Sequence, residues 1–372
     1  MVTPSYSTIA VTLVLRPDLL DRLHKQFQTV HYYPKGDIPE EYLKDVDVWY
    51  TFWRGIPEWI TFDQIPRSRL VLVPGGESEG RCRGELGSSC RALAGVEPAL
   101  NAPAMRSPEA KKQIPVCNVS GIHAISIPQY VIGQIINEYP EGFVLSINPG
   151  FQSIRGKTAG FLGYGNIARE TARLLQAFGA NIIAANSDGK KRESSGYIIE
   201  GTGDPEGVIP SEYFSSNDPS SLQEFLSKTD ILIACLPSTP KTTWMLEAKH
   251  FELLRDGALF INVGRGTLVR SGERFGSYSM VDPELADRTP EEILAGLEAP
   301  TGLSSVVLDV TNPEPLPAGH PLLSHPRVLI TPHMSGHFGE YYDLCTDVLL
   351  ENVKRLREGR ELLNVVDPAK GY

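Results

Sequence analysis

Short apolar runs along this chain alternate with stretches whose apolar residues recur at helical spacing. That alternation predicts strands and helices in succession, and so an α/β architecture with parallel sheets. The pattern is strongest from the middle onward. "KTAGFLGYG" at 157–165 is an apolar strand running into glycines. "NIARETARLLQAFG" at 166–179 then sets Ala168, Ala172, Leu175 and Phe178 on one helical face before Gly179 stops the helix. The next strand is "ANIIAAN" (180–186), and further strands are predicted at "ILIACLP" (231–237), "GALFINVG" (257–264), "SSVVLDV" (304–310) and "RVLITP" (327–332). "AKHFELLRD" and "PEEILAGLE" supply helical material between some of them. Together they describe a doubly wound parallel sheet.

The first 120 residues predict a second α/β unit with its own strands, "STIAVTLVL" and "DVDVWYTFW". Trp49, Trp53 and Trp59 lie in the aromatic-rich piece 47–62 and read as core and domain-edge packing. Segments 74–92 and 271–289 show no sustained periodicity and are rich in Gly, Ser, Arg or Glu. They read as long surface loops or disorder.

Composition narrows the function classes. A chain of 372 residues that is 41% hydrophobic has room for two packed domains. A formal net charge of −10 argues against a nucleic-acid or anionic-membrane partner, which usually leaves a basic footprint. No apolar run approaches the roughly 18–20 residues of a membrane span. The N-terminus lacks a basic n-region and a small-residue cleavage site, so the cytosol is the expected compartment. Five scattered cysteines are odd in number and match no metal-ligand spacing, so neither a disulfide framework nor a metal site is implied.

The spacing Gly163-x-Gly165-x-x-Ala168 follows a strand and opens a helix, the context of a dinucleotide-binding fingerprint. The first glycine allows the tight turn, the second lets the backbone approach a pyrophosphate, and a small third residue lets helix pack on strand. Free amides at the helix N-terminus then face the phosphates. Ligands of open α/β sheets sit outside the carboxyl ends of the strands. The later strands end at Pro237, Arg265, Glu314 and His333. A guanidinium binds a carboxylate and polarises the adjacent carbonyl. An imidazole delivers a proton to oxygen, and a carboxylate beside it favours its charged form. Taken singly, Arg265 reads as a surface cation, Glu314 as a solvated loop charge and His333 as a turn residue. Behind a fingerprint and in this order, they point jointly to 2-oxo acid chemistry.

Cofactor preference is read from "ANSDGKKRE". Where an NAD-selective site places an acid, this chain has Asn186. Ser187, Lys190, Lys191 and Arg192 offer donors and positive charge to a 2′-phosphate, while Asp188 is the acid that competes for the role. The expectation is NAD(P)H, with NADPH used at least as well as NADH.

The motifs "RGKTAGFLGYGNIA", "ILIACLPSTPKTTWML", "DGALFINVGRGTLV", "LDVTNPEPLPAGHPLL" and "VLITPHMSG" cover most of 155–337 and resemble the D-isomer-specific 2-hydroxyacid dehydrogenase family. The resemblance implies a Rossmann-type doubly wound parallel sheet plus a smaller flavodoxin-like α/β substrate domain built from both chain ends. The implied boundaries are 1–122 with 336–372 for the substrate domain and 123–335 for the dinucleotide-binding domain. The implied reaction is NAD(P)H-dependent reduction of a small 2-oxo acid, glyoxylate- or hydroxypyruvate-like, to the D-2-hydroxy acid. In it Arg265 binds the carboxylate and carbonyl, His333 donates the proton and Glu314 pairs with His333. The loop resembling "LAGVEPAL" nominates the Gly95 and Val96 amides for the substrate carboxylate. Cofactor contacts are expected from Gly163, Tyr164, Gly165, Asn166 and Ile167, from Asn186, Ser187 and Lys190, from Leu236, Pro237 and Thr242, and from Val263, Gly264 and Asp309.

Two alternatives accompany this reading. A formate dehydrogenase-like enzyme shares the "TPH-x-SG" ending but carries an amide where this chain has Glu314. A non-catalytic dinucleotide-sensing scaffold, like the family's corepressors, has no need of Arg265, Glu314 and His333. Against the family pattern, 74–92 and 271–289 look like additions. The connection "PEGFVLSINPGFQSI" (140–154) is shorter than the helical one that usually supplies much of the dimer contact. A homodimer is therefore expected less firmly than in the family.

Overall fold

The computed structural model describes residues 6–52, 54–75, 97–138, 153–270 and 292–367. The chain forms two compact units, one from Met1–Ile122 with Phe338–Tyr372 and the other from His123–His337. Apart from Pro74 and Gly75, the two aperiodic segments lie outside the described residues.

The first unit holds strands β1 (Thr8–Val11), β2 (Thr29–Tyr32), β3 (Val48–Tyr50), β4 (Leu70–Val73) and β5 (Val116–Asn118). They pair in parallel in the order β2-β1-β3-β4-β5, the flavodoxin-like arrangement. Residues of β1, β3 and β4 are buried throughout, as a parallel sheet covered on both faces requires. The predicted run from Ser7 to Leu15 pairs only as far as Val11, because Pro17 starts a helix, Pro17–Gln26, and the intervening residues make the turn. The carboxyl-terminal helix Tyr341–Glu358 buries Cys345, Val348, Leu349 and Val353 in the same unit. Arg16 donates to both Asp343 oxygens at 2.8 and 3.0 Å, and Arg22 pairs with Asp347. Beyond that helix, Val365 forms an antiparallel bridge with Cys117, and the Val366 amide donates to the Val116 carbonyl at 2.9 Å. The tryptophans divide. Trp49 is fully buried with its indole N–H on Ser68 Oγ at 2.8 Å. Trp59 is 47% exposed and donates from its indole N–H to the Gly36 carbonyl, so its polar edge governs its place. Trp53 lies outside the described residues.

The second unit carries β6 (Thr158–Leu162), β7 (Asn181–Asn186), β8 (Glu212–Ser215), β9 (Ile231–Ala234), β10 (Ala258–Asn262), β11 (Leu303–Leu308) and β12 (Val328–Ile330). All pairs are parallel, in the order β12-β11-β10-β9-β6-β7-β8. Strand order reverses between β6 and β9, which makes that junction the topological switch point. Side chains alternate between two cores, as a period of two dictates. Phe161, Ile231, Ile233, Leu259 and Ile261 face helices Ser126–Glu138 and Asn166–Ala177. Leu162, Leu232, Phe260 and Val306 face helices Pro219–Ser227, Ala248–Phe251 and Glu292–Glu298. Strand β8 and helix Pro219–Ser227 are additions to the expected elements. Asp218 caps that helix by accepting from the Ser220 and Ser221 amides at 2.9 and 3.3 Å.

Candidate active site

Strand β6 delivers the chain to Gly163, whose φ of +92° is left-handed backbone. A Cβ at Gly163 would stand 3.2 Å from the carbonyl carbon and oxygen of Cys235, just past β9, and 3.0 Å from Leu236. The turn therefore crosses the switch point where no side chain fits. Gly165 then precedes helix Asn166–Ala177; a Cβ there would meet nothing within 4 Å, and no side chain caps the helix. Ala168, fully buried, lets the helix lie on the sheet. A bare turn, uncapped amides and open space in front of them fit the pyrophosphate of a dinucleotide. On the facing loop, the Thr242 hydroxyl donates to the Pro237 carbonyl at 2.7 Å and accepts from the Thr239 amide at 2.9 Å, holding the turn after Leu236. Val263 is buried, and Gly264 crowds Leu236, whose carbonyl would lie 2.8 Å from an added Cβ. The Tyr164 hydroxyl turns to Asp204 at 2.9 Å, leaving that residue's backbone for any cofactor contact.

Arg265, Glu314 and His333 follow β10, β11 and β12, three adjacent strands, and so emerge along one edge. His333 Nδ1 and Glu314 Oε1 are 2.8 Å apart, each side chain about a quarter exposed. The Arg265 guanidinium is held by its own turn: Nη1 donates to the Gly264 carbonyl at 2.6 Å, while Asn262 Nδ2 donates to the Arg265 carbonyl at 3.0 Å. Burial pulls that guanidinium below its ordinary value, and the Glu314 charge pushes back. His333 has φ +50°, a conformation costly for a residue with a Cβ and one that clusters at functional sites.

Asp309 anchors the loop that carries His333. Its carboxylate, 1% exposed, accepts from Thr331 Oγ1 at 2.6 Å, the Met334 amide at 2.9 Å and Ser335 Oγ at 2.5 Å. The Asp309 carboxylate thus accepts bonds from three residues of one loop, Thr331, Met334 and Ser335. Tyr130 reaches the same loop, its hydroxyl 2.7 Å from Thr331 Oγ1. Neither support is periodic or adjacent in sequence, so pattern reading missed both roles.

Gly266 locks the arginine turn against the glutamate loop. An added Cβ would overlap the Thr311 carbonyl and come within 2.8 Å of the Asn312 nitrogen. Gly266→Ala should therefore displace residues 311–314 and lower turnover at least tenfold with little change in dinucleotide binding. Steady-state kinetics beside a titration with the cofactor would check it, and unchanged turnover would mean that the two loops are not mechanically joined.

A second imidazole stands near this group. His123 is largely buried against Gly336, where a Cβ would lie 3.2 Å from its ring. Desolvation depresses its pKa to about 4; the Gly336 backbone opposes that shift, while His337, His333 and Arg265 add to it. The unfolded chain takes up this proton near pH 6.5 and the folded chain only near pH 4. Falling pH therefore favours unfolding across that window, by up to about 3 kcal/mol at its lower end. His123→Asn removes the contribution, so its urea midpoint should fall less between pH 7.5 and 4.5 than that of the parent protein. Equal losses in both would refute the burial argument.

The loop after β7 is held by its first residue. Asn186 Nδ2 donates to the Lys190 carbonyl at 2.7 Å, and its Oδ1 accepts from the Gly189 amide at 2.8 Å. The Ser187 carbonyl accepts from Asn217 Nδ2 at 2.7 Å. Asp188 is drawn to Arg192 at 2.7 Å, and that bond holds its carboxyl below the usual range. The Lys190 side chain is exposed. Gly95 and Val96 lie outside the described residues.

Residues 145–273 and 291–335 match the family model for the D-isomer specific 2-hydroxyacid dehydrogenase NAD-binding domain. The chain is 29% identical over 215 residues to glyoxylate/hydroxypyruvate reductase A of Yersinia enterocolitica, covering 58% of this chain and 56% of the relative. It is 30% identical over 215 residues to the reductase of the same name from Serratia proteamaculans, with the same coverage. It thus spans a little over half the length of these curated reductases. Among solved structures, an NADPH-dependent glyoxylate/hydroxypyruvate reductase from Sinorhizobium meliloti, in complex with NADP and sulfate, superposes with a TM-score of 0.66 at 23% identity. The match covers 98% of this chain and all of that one. A D-isomer specific 2-hydroxyacid dehydrogenase from Xanthobacter autotrophicus, in complex with NADPH and MES, gives 0.65 at 22% identity, covering 99% and 100%. These likenesses establish the fold.

Proposed function

We propose that this chain, whose residues 145–273 and 291–335 match the family model, is a D-isomer specific 2-hydroxyacid dehydrogenase, an NAD(P)H-dependent reductase of a small 2-oxo acid of the glyoxylate or hydroxypyruvate type. The observation that carries the reading is the 2.8 Å His333–Glu314 pair, on the same strand-end edge as Arg265.

In this reading Arg265 receives the substrate carboxylate and the neighbouring carbonyl oxygen, its planar fork setting the plane of both. The Gly95 and Val96 amides are assigned a share of the carboxylate. Glu314 accepts from His333 Nδ1–H, so the proton free to move is the one on Nε2. His333 gives that proton to the carbonyl oxygen as the alcohol forms and is left neutral, still bonded to Glu314. A nicotinamide cofactor, when bound, would supply the hydride. Gly163, Gly165 and the first amides of helix Asn166–Ala177 would hold its pyrophosphate. The basic loop at Lys190–Arg192 favours NADPH, since Asp188, the acid closest to Asn186 in the chain, is engaged by Arg192.

Oxidation of NADPH and NADH against glyoxylate, hydroxypyruvate and bulkier 2-oxo acids, with formate and the oxidised cofactors as the reverse arm, tests the proposal. Turnover with a small 2-oxo acid is expected. Formate oxidation alone would move the assignment to a formate dehydrogenase-like enzyme, and dinucleotide binding without any turnover would move it to a sensing scaffold.

A further inference from the structure

Residues 187–211, between β7 and β8, form neither helix nor strand. A structureless stretch of that length inside a compact unit is uncommon and usually has a use. This one is fastened to the helix that the fingerprint opens. Arg169 and Glu170 on that helix and Asp204 in the segment are charged side chains, 5%, 5% and 4% exposed. Arg169 Nη2 donates to the Arg192 carbonyl at 2.7 Å, and its Nη1 donates to the Asp204 carbonyl. Its guanidinium also lies 5.0 Å from the centre of the Tyr164 ring, the residue between the two fingerprint glycines. Asp204 in turn accepts from the Tyr164 hydroxyl at 2.9 Å and from the Val208 and Ile209 amides at 2.9 and 3.0 Å. Glu170 accepts from the Gly203 amide at 2.6 Å.

Burying three charges is an expensive way to pin a loop, since apolar side chains of similar volume often do so at no loss of stability. What charged groups add is direction. A guanidinium shared between two carbonyls fixes where each stands, to within hydrogen-bond tolerance. One of those carbonyls belongs to Arg192, the last cation of the loop that begins at Asn186. Asn186 secures the start of that loop and Arg169 its end. The phosphate turn and the basic loop are therefore built as one piece.

We propose that Arg169 and Asp204 are positioning residues for the dinucleotide. By clamping the 192–209 segment to the fingerprint helix they hold the cations at Lys190–Arg192 at a fixed distance from the pyrophosphate turn, matched to a phosphate on the adenosine ribose. The inference rests on the reading of Gly163 and Gly165 as a dinucleotide site. Neither clamp residue touches substrate, so its loss is felt in binding of the adenosine end rather than in the chemical step.

The test uses the full chain and direct calorimetric titration with NADP+ and with adenosine 2′,5′-bisphosphate, beside kcat at saturating NADPH. Arg169→Met should weaken both nucleotides at least tenfold while kcat stays within about threefold. Arg169→Lys should recover part of the affinity, because an ammonium serves one carbonyl and not two. Should Arg169→Met fail to fold, Tyr164→Phe removes only the hydroxyl that reaches Asp204 and should weaken both nucleotides about threefold. Unchanged affinity in folded Arg169→Met, or in Tyr164→Phe where that variant replaces it, would overturn the clamp, as would a parallel fall of affinity and kcat. If the parent protein binds neither NADP+ nor NAD+, the dinucleotide reading fails and this inference with it; parent binding with unaffected variants refutes the clamp alone.

Discussion

Arg265→Ala should lower kcat/KM for 2-oxo acids by roughly 10³-fold, the scale seen when a donor aimed at developing charge is removed. The guanidinium does two jobs in the proposed reaction, anchoring the carboxylate and polarising the carbonyl, so the loss falls on KM and kcat together. Arg265→Lys should restore only a fraction, since a point charge cannot span both oxygens. The Asn262 side-chain amide holds the turn around Arg265 without the guanidinium, donating to the Arg265 carbonyl and accepting from the Gly264 amide. The alanine protein should therefore fold normally and bind cofactor as before. Steady-state kinetics with a cofactor titration alongside decides it, and near-parental turnover in the alanine variant would remove Arg265 from the site.

His333→Ala should cost about 10²–10⁴-fold in kcat, the usual worth of a positioned proton donor. Glu314→Gln tests the partner. With the pair at 2.8 Å, the carboxylate stabilises the imidazolium, and an amide of the same shape does not. Glu314→Gln should thus lower kcat at least tenfold, because the imidazole loses the charged acceptor that orients its ring. Parental kcat in Glu314→Gln would show the two residues to be uncoupled.

Much of the second unit was legible in the chain because β6, β9, β10 and β11 are buried on both faces and read as continuous apolar runs. Strand β8 was not legible. It is an edge strand in which only Phe214 is buried, so Glu212–Ser215 has no apolar run to notice. In the first unit β4 is wholly apolar, yet four such residues do not distinguish strand from helix without a neighbour. Predicted strands overshoot by two or three residues at Cys235–Pro237, Val263–Gly264, Asp309–Val310 and Thr331–Pro332. The first residue of each overshoot still donates to a carbonyl of the neighbouring strand, and the chain turns away only after it. Arg265, Glu314 and His333 were visible as types at strand ends. Their spacing was not, and neither was Asp309 as an anchor or Arg169 as a clamp. Those depend on bonds between residues such as Asp309 and Ser335, or Arg169 and Arg192, that no periodicity links.

The antiparallel bridge from Val365 to Cys117 also sets an order of assembly. A nascent chain leaves the ribosome at roughly 5–20 residues per second, and domains fold as units when their last residue is available. The unit from His123 to His337 is complete before helix Tyr341–Glu358 has been made. The first unit, though begun earlier, must wait for that helix and for Val365 and Val366, with the surface destined for Cys345, Val348 and Leu349 open to solvent in the meantime. The first unit, begun before the second, is therefore completed after it, and premature termination near residue 340 should leave a folded second unit attached to an aggregation-prone first one.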